Sequence, residues 1–303
     1  SFSLVMCKTR FGFALDRETF KRIFSFSGCL MDSSLFRKLS HQFDRLLMPR
    51  LLSVSALGSY NRPKGFIEEI SGKLNGIFDS ALFPVLSGIQ DNKQALRSAF
   101  NRSMFLINMF ALLLTISFAF NSDLLIRIFF GEQWLELRSV MFVVSCSLLF
   151  NINGRLADCY LRSLAMTKQQ FFFRVFEFAL KTVGVLIGYR WDILGVSISF
   201  VITNFIAKLV KIMYIGKAVE VAPSQIIRHI LSSWRYSLLV LPVCITAYIL
   251  LPHTWGGDIA MAVIFVIMVV LVFVFMPRFV GEQYYDEVYS RIIINVKHKL
   301  LRK

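Results

Sequence analysis

Residues 139–161 read SVMFVVSCSLLFNINGRLADCYL, and the fold turns on how that stretch is read. It has span length and no period-2 alternation, so it suits a helix of roughly 20 residues rather than the shorter alternating strands of a membrane barrel. Its second half carries Asn151, Arg155 and Asp158 at i, i+4 and i+7, with Arg162 following at i+11. That spacing puts all four on one helical face, while Phe, Leu and Val continue around them. The pattern is that of a helix inside apolar surroundings with a single polar stripe.

The whole chain agrees. Of its 303 residues 56% are hydrophobic and only 17% charged, with 31 Phe and a mean hydropathy of +0.61. Such a chain is too apolar for a water-soluble domain of this size and too aromatic for disorder. The class is all-α, a polytopic membrane helix bundle. Hydropathy finds spans at about 103–128, 139–161, 170–189, 193–215, 236–252 and 259–277. Residues 20–53 and 62–88 have span length and helical periodicity but carry many charges, so six and eight spans both remain open on hydropathy alone. The tail from Glu282 to Lys303 is amphipathic and basic, and is expected to lie on an anionic membrane surface.

There are 34 Lys and Arg against 19 Asp and Glu, a formal charge of +15. In a membrane protein this predicts topology, with no nucleic-acid partner implied. With both ends in the cytoplasm, the basic side gathers Lys8, Arg10, Arg17, Lys21, Arg22, Lys93, Arg97, Arg102, Arg162, Lys168, Arg174, Lys208, Lys211, Lys217, Arg228, Arg235, Arg278 and the basic tail. The other side holds Arg50, Arg62, Lys64, Arg138 and Arg190. The five cysteines stand singly and read as free packing thiols, and no metal-ligand spacing, phosphate loop or catalytic motif is present. Outer loops of about 12 residues or fewer leave no room for a catalytic domain there, so no enzyme, cofactor or metal is expected.

An Arg or Lys near mid-membrane costs about 2.5–3.5 kcal/mol on insertion scales, so such residues carry information. They fall into further stripes. Arg37, His41 and Asp44 stand at i, i+4 and i+7 with Arg45 beside them, and Arg174, Glu177 and Lys181 at i, i+3 and i+7. Ion pairs fixing helix packing would explain part of this pattern. Arg37, Arg155 and Lys181 lie at least two turns from a span end with no local carboxylate for each, which predicts a hydrated, net cationic cavity suited to an anion.

The ordered set HQFDRLL (41–47), ALGSYNR (56–62), LFPVLSGIQDN (82–92), LRSAFNRSM (96–104), LIRIFFGEQW (125–134), SLAMTKQQFFFR (163–174) and GVSISFVITNF (195–205) resembles the C-terminal half of a transporter family. That family is the polysaccharide or oligosaccharide flippases of the multidrug/oligosaccharidyl-lipid/polysaccharide (MOP) exporter superfamily, of the Wzx or colanic-acid type. The resemblance implies eight spans: one six-helix lobe of a MATE/MOP-like transporter (1–217), then two additional transmembrane helices with the tail (218–303). It implies a missing N-terminal six-helix lobe as partner, a turn at Pro84 ending a helix, and an outer turn at Gly131 to Trp134. The chain departs from the family's pattern at Pro63, Lys64, Glu68 and Glu69, and lacks a glycine in the 165–168 loop.

The function so implied is export, by flipping, of an undecaprenyl-pyrophosphate-linked oligosaccharide across a bacterial inner membrane by alternating access. Arg37, Arg45, Arg155 and Lys181 are then the expected contacts of the lipid-linked anionic oligosaccharide. His41, Asp44, Asp158 and Glu177 are candidate gating or proton-sensitive partners, and other polysaccharide-assembly proteins are candidate partners. The alternatives are an exporter of drugs or lipid II with the same fold, a membrane-embedded glycosyltransferase or polymerase, and a half-protein acting with a partner subunit.

Overall fold

The computed structural model describes residues 49–238, 240–252 and 254–280. The weak span 20–53 therefore lies almost wholly outside the described residues, and the basic tail entirely so. The described residues form helices joined by short turns, with no strand among them.

The helices are α1 (Val54–Gly88), α2 (Lys93–Phe120), α3 (Ser122–Phe129), α4 (Arg138–Ser145), α5 (Ser147–Ser163), α6 (Thr167–Gly188), α7 (Asp192–Ala218), α8 (Pro223–Leu238), α9 (Val240–Leu250) and α10 (Trp255–Val280). Lys93–Phe120, Glu132–Ser163 and Thr167–Ala218 are long and apolar enough to cross a bilayer, and α8 with α9 is so as one bent span. The 52-residue Thr167–Ala218 stretch folds back on itself through the single 3₁₀ turn Tyr189–Trp191. Exposed Phe172, Val183 and Ile187 on α6, Ile198, Ile202 and Phe205 on α7, and Val263 and Val266 on α10 give the bundle an apolar exterior. The protein is a multi-pass membrane helix bundle.

Helix α1 takes the place of the second weak span. At 35 residues it is long enough to cross, and its charges explain why hydropathy misses it. The expected helix end at Pro84 is not there: Pro63 and Pro84 both lie inside α1, which runs on to Gly88. The 103–128 and 139–161 spans are each two helices, broken at Asn121 and Cys146. Asn121 makes its break by turning its amide Nδ2 back to the Ser117 carbonyl at 2.8 Å.

Two helix ends close with left-handed residues. After α5, Ala165 (φ 54°) donates its N–H to the Arg162 carbonyl and Met166 donates to Leu161. After α7, Glu220 (φ 60°) and Val221 do the same to Lys217 and Gly216. Both are Schellman closures, which satisfy otherwise orphaned carbonyls. Glu220 also accepts from Lys93 Nζ at 2.5 Å, joining the α7–α8 turn to the start of α2. That hydrogen bond and charge hold the Glu220 carboxyl below its usual range.

Packing of α6 on α7 rests on small residues. A Cβ at Gly188 would lie 2.6 Å from the Gly195 carbonyl oxygen, and one at Gly184 would lie 2.7 Å from Thr203. Close backbone approach of this kind holds membrane helices together where no hydrophobic drive separates them from lipid. The main apolar core joins α2, α5 and α7 to α8, α9 and α10 through Phe100, Leu156, Tyr160, Ile212, Ile226 and Phe265. A second core around Ile67, Ile126, Met141 and Phe200 lies toward the Trp255 end. There Glu132 accepts from Arg127 at 2.5 Å and from the Trp255 indole at 2.8 Å, tying α10 to the α3 turn.

Candidate functional site

Beside these cores, α1, α5, α6 and α7 turn polar faces toward one another. The stripes expected on α5 and α6 do converge. Arg155, Asp158, Glu177 and Lys181 line one cavity of about 210 Å³ together with Glu68, Asn75, Asn151, Arg174, Asn204 and Lys208. Arg37, His41, Asp44 and Arg45 lie outside the described residues.

Asp158 binds Arg174 at 2.9 Å and Lys211 at 3.0 Å. Glu177 binds Lys208 at 2.6 Å, Lys211 at 2.5 Å and Arg174 at 3.5 Å. On the other wall, Asp79 of α1 receives Arg155 and Arg162, the latter at 2.6 Å. Five bases thus share three carboxylates. Lys211 is 0% exposed, so it is a packing element of the network, whereas Arg155, Arg174 and Lys208 reach the cavity. Measured from the nearest helix ends, the α5–α7 cluster lies about 7–15 Å into the bundle at 1.5 Å per residue. Unpaired charges at that depth would be costly, and mutual pairing is what makes them tolerable.

Lys181 differs from the rest. It has no ion pair among the described residues, and its ammonium stands 5.4 Å from the centre of the Phe200 ring. Lys64 approaches the same ring to 4.9 Å. An aromatic face holds a cation loosely compared with a carboxylate, so Lys181 keeps its hydrogen-bonding capacity for something else.

Three expectations need correction. Lys208 and Lys211 are not loop residues; they lie within α7 and are buried, and Arg174 lies within α6, paired to Asp158. Lys64 likewise lies within α1 and is 4% exposed. Nor is Arg155 without a carboxylate, because Asp79 on the adjacent helix meets it. That partner is invisible along one helix since it is 76 residues away. The signal for the lysines was present in the sequence: Asn204, Lys208 and Lys211 repeat the i, i+4, i+7 spacing of the other stripes. Gly154 completes the site, since a Cβ there would fall on the Lys208 stem that crosses α5 toward Glu177.

The arrangement presents cationic tips on a polar wall within an apolar bundle. Among the described residues no group of His, Cys, Asp and Glu is placed to hold a metal ion. Such a site can desolvate and hold an anion reversibly, and the groups present suit binding rather than bond cleavage.

The chain is similar to known proteins. Residues 1–141 match the model of a family described as polysaccharide biosynthesis protein. The chain is 25% identical over 226 residues to lipopolysaccharide biosynthesis protein WzxC of Escherichia coli strain K12, covering 74% of this chain and 46% of that protein. It is 26% identical over 152 residues to a putative O-antigen transporter of Shigella flexneri, covering 50% of this chain and 36% of that one. The chain therefore spans about half the length, or less, of these relatives. Among solved structures, lipid II flippase MurJ in an inward closed conformation aligns over 96% of this chain and 59% of its own, with a TM-score of 0.60 and 13% identity. That last likeness is one of fold. The resemblance to Wzx-type polysaccharide flippases read from the motifs is thus supported by sequence relatives.

Proposed function

We propose that this chain forms the C-terminal part of a transporter that moves a lipid-linked anionic oligosaccharide across the bacterial inner membrane. Residues 1–217 make one lobe, 218–303 make the two appended helices and tail, and a second six-helix lobe faces the polar wall. The lipid-linked headgroup lies against Arg155, Arg174, Lys181 and Lys208 while the polyprenyl tail stays in the bilayer, so no charge enters hydrocarbon. Rocking of the two lobes exposes the cavity to either side in turn. Both ends of the chain lie in the cytoplasm, which leaves the exposed Lys93, Lys168, Lys217 and Arg228 on the inner side. An inside-negative potential then favours outward movement of the anion by about 2.3 kcal/mol per charge per 100 mV.

The observation that carries this reading is Lys181: a cation on the cavity wall, inside an apolar bundle, near a ring face and without a carboxylate at ion-pair distance among the described residues. A purely structural lysine would be expected to have a carboxylate partner, as Lys211 has. In cells whose surface glycan depends on this protein, Lys181→Met is expected to lower glycan display at least tenfold with membrane abundance unchanged. Lys181→Arg should retain most of it. Undiminished display in Lys181→Met would refute the assignment.

A further inference from the structure

Helix α8 has two faces. One is packed: Ile226, Ser233 and Ser237 are buried, Ser237 Oγ donates to the Met109 carbonyl at 3.0 Å, and Gln225 accepts from Arg97 at 3.1 Å. The other face is open and carries Ser224, Ile227, Arg228, Leu231, Ser232 and Arg235, which line a single surface groove. Arg228 and Arg235 are seven residues apart, two turns along one face. Both are exposed, and neither has an ion-pair partner among the described residues. Beside them Ile227 and Leu231 are 47% and 58% exposed.

Those same two residues border a second space. Behind α8 lies a crevice of about 270 Å³ between α7 and α8, floored by α5, with Leu149, Phe150, Phe205, Ile212 and Trp234 on its walls. The Trp234 indole N–H is shielded from solvent and has no acceptor among the described residues. Thus two exposed cations and an apolar slot share the 227–235 stretch of α8. A glycerophospholipid joins a phosphate to apolar acyl chains, and the negative charge of an anionic one complements the two guanidinium groups.

We propose that the Arg228–Arg235 face and the adjoining α7–α8 crevice hold one anionic glycerophospholipid of the bilayer. Its phosphate lies on the arginine pair, and one acyl chain fills the crevice. The lipid is a resident of the fold and is separate from the transported molecule. It seals the seam between α7 and the appended helices behind the Lys208 wall of the cavity.

The test uses the purified full chain. After reconstitution in phosphatidylcholine with one fifth phosphatidylglycerol and mild detergent extraction, native mass spectrometry should find one phosphatidylglycerol retained per chain. Arg228→Gln with Arg235→Gln should lower that retention at least tenfold, whereas Lys168→Gln, an exposed cation elsewhere, should not. In a variant whose only tryptophan is Trp234, phosphatidylglycerol with brominated acyl chains should quench fluorescence more than brominated phosphatidylcholine, and the double arginine change should abolish the difference. Equal quenching by both lipids, or retention indifferent to the arginines, would overturn the proposal. So would displacement of the lipid by an equimolar polyprenyl phosphate, which would assign the groove to the transported class instead. Each outcome is read without any transport measurement, so it is independent of the reading of the cavity.

Discussion

Asp158 shows how much one side chain organises. It is 3% exposed and neutralises Arg174 and Lys211 from two different helices. Asp158→Asn would leave both cations facing only Glu177, and removing one partner of a buried pair costs about 3–5 kcal/mol. We expect that variant to be destabilised and depleted from the membrane, in contrast to Lys181→Met, and immunoblotting of membrane fractions separates the two. Ala165 is a milder case. Its φ of 54° is a conformation that glycine adopts freely and alanine at a cost of about 1–2 kcal/mol, partly offset by glycine's greater entropy loss. Ala165→Gly should stabilise the chain by about 0.5–1 kcal/mol, seen as a rise of ~1–2 °C in a detergent melting curve; no rise would mean that the turn relaxes elsewhere. The absence of a glycine in the 165–168 loop was visible as a departure in the sequence, but that the position needs a left-handed residue is legible only from the structure.

Among elements, the α6–α7 hairpin carries most of the site, and its spacing depends on Gly184, Gly188 and Gly195. Gly188→Ala should separate the two helices and cost about 1–3 kcal/mol as overpacking does. Gly76→Ala, where a Cβ would meet nothing within 4 Å, should be neutral or slightly stabilising. Comparing the two by thermal stability checks whether close approach, rather than glycine content as such, matters. Helical periodicity was enough to locate the stripes on α5 and α6, because each stripe lies on one helix. It could not give Asp79 to Arg155, a pairing across 76 residues. It also left Lys208 and Lys211 in a loop, because basic residues near the end of an apolar run look like an inner-face anchor until a neighbouring carboxylate is known. The breaks were hidden for different reasons: at Cys146 neither proline nor glycine marks the position and hydropathy runs on, whereas at Asn121 a span-length window averages out the short polar run Asn121-Ser122-Asp123.

At the scale of the molecule, the described residues form one polar wall backed by three apolar cores, the third around Tyr60, Val185 and Val196. The wall matters only if water and an anion reach it. A variant with Lys181→Cys and no other cysteine tests this most directly, since charge can be put back at that position by aqueous thiol reagents. Oligosaccharide export by this variant should be low, recover after aminoethyl methanethiosulfonate restores a cation, and stay low after sulfonatoethyl methanethiosulfonate adds an anion. Failure of both reagents to react, or the same export after either one, would contradict a hydrated cationic cavity as the path of the headgroup.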